Sequence, residues 1–228
     1  MIDQNLTLIR DRIEKTAKRV NRNPQDITLI CVTKQASLKQ VEEVISFHAT
    51  DIGENRVTDA FLKYNQLKDL NNTLKWHMIG HLQSNKVKKA LSFFDTIHSV
   101  DSIRLASEIN RQAELINKCI DCFIEVNVAN EDSKYGIKPD QAHNFVKEVS
   151  LLSNIKIVGL MMMAPFVDNP EEVRSYFKDL RNLRDSLLSE NIPNTDIREL
   201  SMGMTQDFEV AIEEGATMVR IGTAIFSG

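Results

Sequence analysis

Short apolar runs rich in β-branched residues alternate with amphipathic helical stretches eight times along this chain, and this restricts the fold more than any other feature. Ile2, Leu6, Ile9, Ile13, Ala17 and Val20 recur at spacings of three and four, so the chain opens with a helix that Asn21 to Pro24 ends. The predicted strands then fall at 27–34, 51–53, 75–80, 96–100, 122–128, 155–163, 199–202 and 217–221. Helix signals lie between them. Ser37 and Gln40 make a capping box ahead of Val41, Val44 and Ile45. Pro139 suits a first helical turn, and Asn169-Pro170-Glu171-Glu172 reads as cap, proline and two acids. A further helix is predicted from about Lys86.

Eight such units in 228 residues predict one α/β domain, a (β/α)8 TIM barrel over 1–228 with an extra N-terminal helix. Little chain follows the eighth run, so the N-terminal helix is expected to cover the gap left there. An open doubly wound sheet is the rival; the Gly-x-Gly-x-x-Gly turn that would favour it does not follow the first strand.

Composition narrows the function classes. A net charge of −4 gives no electrostatic footprint for nucleic acid or anionic membrane. Lys86-Val87-Lys88-Lys89 reads as the solvated face of a helix. No apolar stretch approaches the ~20 residues that span a bilayer. Met1-Ile2-Asp3-Gln4 lacks the pattern of a secretory signal, and the odd set Cys31, Cys119 and Cys122 fits reduced thiols. A cytoplasmic protein is expected, and a monomer, since no apolar surface patch is evident.

Closing the barrel would pair the eighth strand with the first and bring Lys34 and Arg220 to the same mouth. Apolar companions at alternate positions, Ile30 and Val32 for Lys34 and Met218 for Arg220, turn both cations inward. Two inward cations need an explanation. A permanent guanidinium beside an amine favours its uncharged form, the form that condenses with an aldehyde. Ser201, with Gly203 behind it, and the Gly222-Thr223 pair offer a hydroxyl and approachable backbone amides for a phosphate dianion. An alternative stays open on spacing alone: Lys34 reaches to the rim and Arg220 pairs with a carboxylate such as Glu54.

Several segments resemble the pyridoxal phosphate homeostasis protein family. They are Val32-Thr33-Lys34, Gly53-Glu54-Asn55, Trp76 to Lys86, Ser133-Lys134-Tyr135-Gly136, Gly159-Leu160-Met161, Leu200 to Met204, and Val219 to Phe226. They cover nearly the whole chain in order. Arg56, His81, Ala36 and Ser37 depart from that pattern. The family is similar to the barrel half of alanine racemase. The resemblance implies pyridoxal 5′-phosphate held on Lys34 as a Schiff base, with Arg220 near the pyridine nitrogen. It further implies Ser201, Gly222 and Thr223 on the phosphate and Asn55 at the cofactor edge.

A cation beside the pyridine nitrogen discourages its protonation and weakens the ring as an electron sink. Racemases on this barrel take a tyrosine base from a C-terminal β-domain, for which this sequence has no residues. The expectation is therefore a binding protein that buffers or delivers the cofactor within the cell, possible recipients being pyridoxal phosphate apoenzymes, without turnover. The alternatives are a pyridoxal phosphate racemase or lyase and a phosphate-binding barrel isomerase.

Other signals are weaker. His77-x-x-x-His81 has zinc spacing on a helix, but on a strand it spans roughly 13 Å, so no metal site is expected. Cys119 and Cys122 enter a strand, where positions three apart face opposite sides. Met161 to Ala164 reads as core. No Gly-x-Ser-x-Gly elbow supports hydrolase chemistry.

Overall fold

The computed structural model describes residues 1–67, 69–70, 73–131 and 134–227; Ser133 of the Ser133–Gly136 segment lies outside them. Eight parallel strands close into a barrel in sequence order. They are β1 Thr28–Val32, β2 Asp51–Glu54, β3 Lys75–Met78, β4 Thr96–Val100, β5 Ile120–Glu125, β6 Ile155–Met161, β7 Thr195–Ser201 and β8 Met218–Ile221. The last strand pairs with the first, Thr28 opposite Met218 and Ile30 opposite Arg220. The expected closure is therefore present, and the open sheet is excluded.

The helices are α1 Ile2–Arg19, α2 Leu38–Ser46, α3 Val57–Gln66, α4 Val87–Ala90, α5 Ile103–Leu115, α6 Ala142–Val149, α7 Arg174–Ser189, α8 Phe208–Glu213 and α9 Thr223–Phe226. The Ser37 capping box forms at the head of α2, and Asn169 accepts from the Glu171 amide ahead of α7. Apolar residues on the outer face of the strands, such as Cys31, Ile52, Trp76, Ile97, Ile124 and Leu160, are buried under the helices. Burial of this kind contributes about 25 cal/mol per Å² and drives closure.

The N-terminal helix occupies the expected place. It packs against α2, α8 and the four-residue α9. Asn5 Nδ2 donates to the carbonyls of Ile225 and Ser227, at 3.0 and 3.2 Å, tying the start of the chain to its end.

Most strand ends lie within two residues of expectation, and two differ by more. β7 starts at Thr195 rather than 199, because Asp196 and Arg198 alternate with buried Ile197 and hide the apolar pattern. β5 stops at Glu125 rather than 128. There the chain is taken up by the loop, with Ile137 N bonded to Glu125 O and Asn127 N to Ile137 O, both at 2.9 Å.

The barrel interior departs from the usual filling of branched apolar side chains. His98 on β4 bonds Ser201 on β7 at 2.9 Å, a contact between strands that are not neighbours and so one that crosses the inside. Phe123 stacks on His98 with ring centroids 4.3 Å apart. The core that holds the fold is the layer between strands and helices; the interior is kept for polar chemistry.

Candidate functional site

The C-terminal ends of the strands open into a cleft of about 560 Å³, within the range of small-molecule sites. Of the expected site residues, Lys34, Asn55, Arg220, Gly222 and Thr223 line it together, and Ser201 does not. Active sites of (β/α)8 barrels occupy this end.

Lys34 follows β1 in the turn that leads to the Ser37 cap, where Ala36 N bonds Thr33 O at 2.9 Å. Its neighbour Thr33 is pinned: Oγ1 donates to Glu54 Oε1 at 2.6 Å. Lys63 donates to the same carboxylate at 2.7 Å and to the Thr33 carbonyl. Glu54 is thus committed to Lys63, and the alternative pairing of Arg220 with Glu54 is corrected. Lys34 is exposed to the cleft, and its amine has no hydrogen-bond or ion-pair partner among the described residues. A lysine whose nitrogen is uncommitted is the one that can act as a nucleophile.

Arg220 forms the floor. It is 5% exposed, with Nη1 donating to Ser201 Oγ at 2.6 Å and Nη2 to the Met162 carbonyl at 2.8 Å. Burial pulls its pKa down to about 10, against the opposing pull of Asp207 and Glu125, so it remains a cation at neutral pH.

Ser201 requires a correction. It is fully buried beneath Arg220, its oxygen engaged by that guanidinium and by His98, and it supplies no hydroxyl to the cleft. Thr205 lines the cleft from the loop after β7. The turn that brings it there depends on Gly203, at φ +93°, where an added Cβ would lie 2.6 Å from the Ala211 Cβ. Gly203 was the visible signal in the sequence; the two residues beyond it carry the consequence.

Gly222 caps α9 and has no side chain to satisfy the first amides of that helix, which lack intrahelical acceptors. Loops after strands seven and eight, with a short extra helix, are where such barrels bind phosphate. Asn55 flanks the cleft just beyond β2, held against the β3 loop so closely that a Cβ on Gly80 would meet the Asn55 carbonyl at 2.6 Å.

Two carboxyls flank Arg220. Asp207 is raised by burial, although its Oδ1 accepts from the Met204 amide at 2.6 Å. Glu125, at the end of β5, is raised to about 7, by burial first and Asp101 second, with Arg220 opposing. His77 bonds Asp51 and His98, whereas His81 stacks on Tyr135 with centroids 4.0 Å apart. The two histidines do not converge. Among the described residues no three His, Cys, Asp or Glu side chains meet as a metal site. Cys122 on β5 is buried, whereas Cys119 precedes the strand and is exposed, so of the two only Cys122 packs in the core. No helix among the described residues is long and apolar enough to cross a membrane.

A closed parallel barrel with an uncommitted lysine above a buried arginine defines a class, and the family described as alanine racemase, N-terminal domain, matches residues 4–228. Within that class the chain belongs to the pyridoxal phosphate homeostasis protein family. The protein of that name from Aquifex aeolicus is 43% identical over 223 residues, covering 98% of this chain and 96% of the relative. PipY from Synechococcus elongatus, solved with PLP bound, matches at a TM-score of 0.87 and 32% identity over 100% of both chains. An unknown protein from Bifidobacterium adolescentis matches at a TM-score of 0.92 and 35% identity, over 99% of this chain and 94% of its own.

Proposed function

We propose that this chain binds pyridoxal 5′-phosphate in the cleft, covalently through Lys34, and acts in intracellular cofactor homeostasis as a buffer or donor without catalytic turnover. One observation carries the reading: the Lys34 amine, without a partner among the described residues, shares a single cleft with a buried Arg220 that is charged at neutral pH. The residues fit the cofactor group by group, and the family relatives support the same reading.

When bound, pyridoxal phosphate supplies an aldehyde that condenses reversibly with a primary amine and releases water. Lys34 supplies that amine. The hydroxyls of Thr205 and Thr223 and the amides at Gly222 and Thr223 bind the phosphate. Arg220 donates hydrogen bonds without giving up a proton, so an aromatic nitrogen beside it stays unprotonated. Asn55 orients the exposed edge. A protein with these features holds its ligand while offering weak support for a carbanion, which favours storage over turnover. Recipients are pyridoxal phosphate apoenzymes, and the working form is a cytoplasmic monomer.

Mixing the cofactor-free protein with pyridoxal phosphate tests binding through the visible absorbance that follows. Offering amino acids to the loaded protein in deuterium oxide tests turnover. Exchange at Cα no faster than that of free cofactor agrees with storage; sustained exchange at enzymic rates makes the protein a racemase or lyase instead.

A further inference from the structure

Four hydrogen bonds run unbroken from the cleft to the opposite end of the barrel. They join Arg220 Nη1 to Ser201 Oγ at 2.6 Å, Ser201 Oγ to His98 Nδ1 at 2.9 Å, His98 Nε2 to His77 Nδ1 at 3.0 Å and His77 Nε2 to Asp51 Oδ1 at 2.9 Å. All four lie within hydrogen-bond distance. The residues stand on β8, β7, β4, β3 and β2, so the chain of bonds crosses the interior. Asp51 opens β2, where it lines a second cavity of about 390 Å³ beside Thr28, the first residue of β1. Thr50 Oγ1 donates to its other oxygen at 2.7 Å.

The Asp51 end dictates the direction of every bond that follows. An ionised carboxylate only accepts, so His77 carries its proton on Nε2 and gives it to Asp51. A neutral His77 then has a bare Nδ1, which accepts from His98 Nε2–H. A neutral His98 in turn has a bare Nδ1, which accepts the Ser201 hydroxyl proton. Arginine only donates, so Ser201 Oγ also accepts from Arg220 Nη1, and the chain runs one way.

The surroundings keep the charges in these places. Burial first, then His77 and Arg220, hold His98 well below its usual pKa, so it takes no second proton. Burial raises Asp51, but the hydrogen bonds from His77 and Thr50, with the charge of Lys75, outweigh it and leave the carboxyl below its usual pKa. An apolar filling of this interior would avoid the desolvation cost of so many polar groups, so their presence calls for a role.

We propose that Asp51, His77 and His98 are positioning residues for Arg220, forming a one-way hydrogen-bond relay through which a carboxylate at the far end of the barrel fixes the guanidinium that floors the cleft. Without the relay the Ser201 hydroxyl is free to rotate, and the acceptor that aims Nη1 is lost. Bonds in such a chain polarise one another, so the carboxylate is felt at Arg220 although it does not touch it. Only the last readout below rests on the cofactor reading of the cleft.

The test begins with the cofactor-free protein labelled with 15N in histidine and arginine. At pH 7 the rings of His77 and His98 are expected to show the neutral Nε2–H pattern. Asp51→Asn keeps an acceptor and removes the charge; it is expected to move the side-chain signals of His98 and Arg220. In cofactor titrations of the whole protein, Asp51→Asn is expected to weaken affinity about 3- to 10-fold, the worth of one modest hydrogen bond. If that variant does not fold, Ser201→Ala cuts the relay next to Arg220 and gives the same comparison. An Nδ1–H or doubly protonated ring at either histidine in the wild type overturns the relay, as do unmoved Arg220 signals in a folded variant. If the wild type takes up no cofactor while the ring pattern and the Arg220 response hold, the relay stands and the reading of the cleft fails.

Discussion

Ile30 on the first strand stands opposite Arg220 on the last. That register closes the barrel and sets the height of the guanidinium against the turn that carries Lys34. A slip of one residue along the β1–β8 seam would send Arg220 to the outer face, among helices with no use for a charge. The cleft chemistry is therefore a product of the closure, which the outer apolar layer enforces.

Replacing Arg220 removes two hydrogen bonds and a buried positive charge that persists at neutral pH. Arg220→Ala is expected to retain covalent uptake at Lys34 but to bind pyridoxal phosphate about 10- to 100-fold more weakly, a charged hydrogen bond being worth roughly 1.5–3 kcal/mol. Equilibrium titration followed by visible absorbance measures this, and unchanged affinity would count against the geometry.

Thr205 rather than Ser201 lines the cleft. Thr205→Ala is expected to shrink the preference for pyridoxal phosphate over unphosphorylated pyridoxal by about 10-fold, the cost of one hydrogen bond to a charged oxygen. Competition between the two ligands reads the ratio directly. An equal loss for both would place Thr205 away from the phosphate.

Much of this was legible in the sequence, and the parts that were not share a cause. Strand number, closure and the meeting of Lys34 with Arg220 follow from periodicity, because the outer faces of the strands must be apolar to hold the helices. The relay residues Asp51, His77 and His98 carried no such signal. They face an interior whose polarity cannot be told from a solvated face by alternation alone. Ser201 was expected at the cleft and Thr205 was not considered, for a related reason: a positive-φ glycine lies between them, and linear spacing does not report the turn it makes.

Gly203 tests that turn. Alanine there would adopt φ +93° with its Cβ against Ala211 and Phe208. Gly203→Ala is expected to destabilise the fold by about 2 kcal/mol or more, from backbone strain together with the clash. Urea unfolding provides the number, and a neutral result would mean the turn relaxes without cost.

Glu125 gives a pH dependence with a definite sign. Its carboxyl is raised from 4.5 to about 7 in the fold, so between those values the unfolded chain has released a proton that the native state keeps. Stability contributed by this group is complete below pH 4.5 and falls as pH rises towards 7, by up to about 3 kcal/mol. Glu125→Gln, neutral in both states, is expected to lack this slope and to be the more stable protein at pH 8. Denaturant midpoints at pH 5 and pH 8 for both proteins decide it; parallel slopes would contradict the assignment.

The most direct test of the central claim is chemical. The protein is loaded with pyridoxal phosphate, reduced with borohydride, digested and mapped. A single tag is expected on Lys34, absent from Lys34→Ala, with Lys63 unlabelled because Glu54 and the Thr33 carbonyl occupy its amine. Label spread over surface lysines, or a Lys34→Ala protein labelled as fully as the wild type, would contradict it.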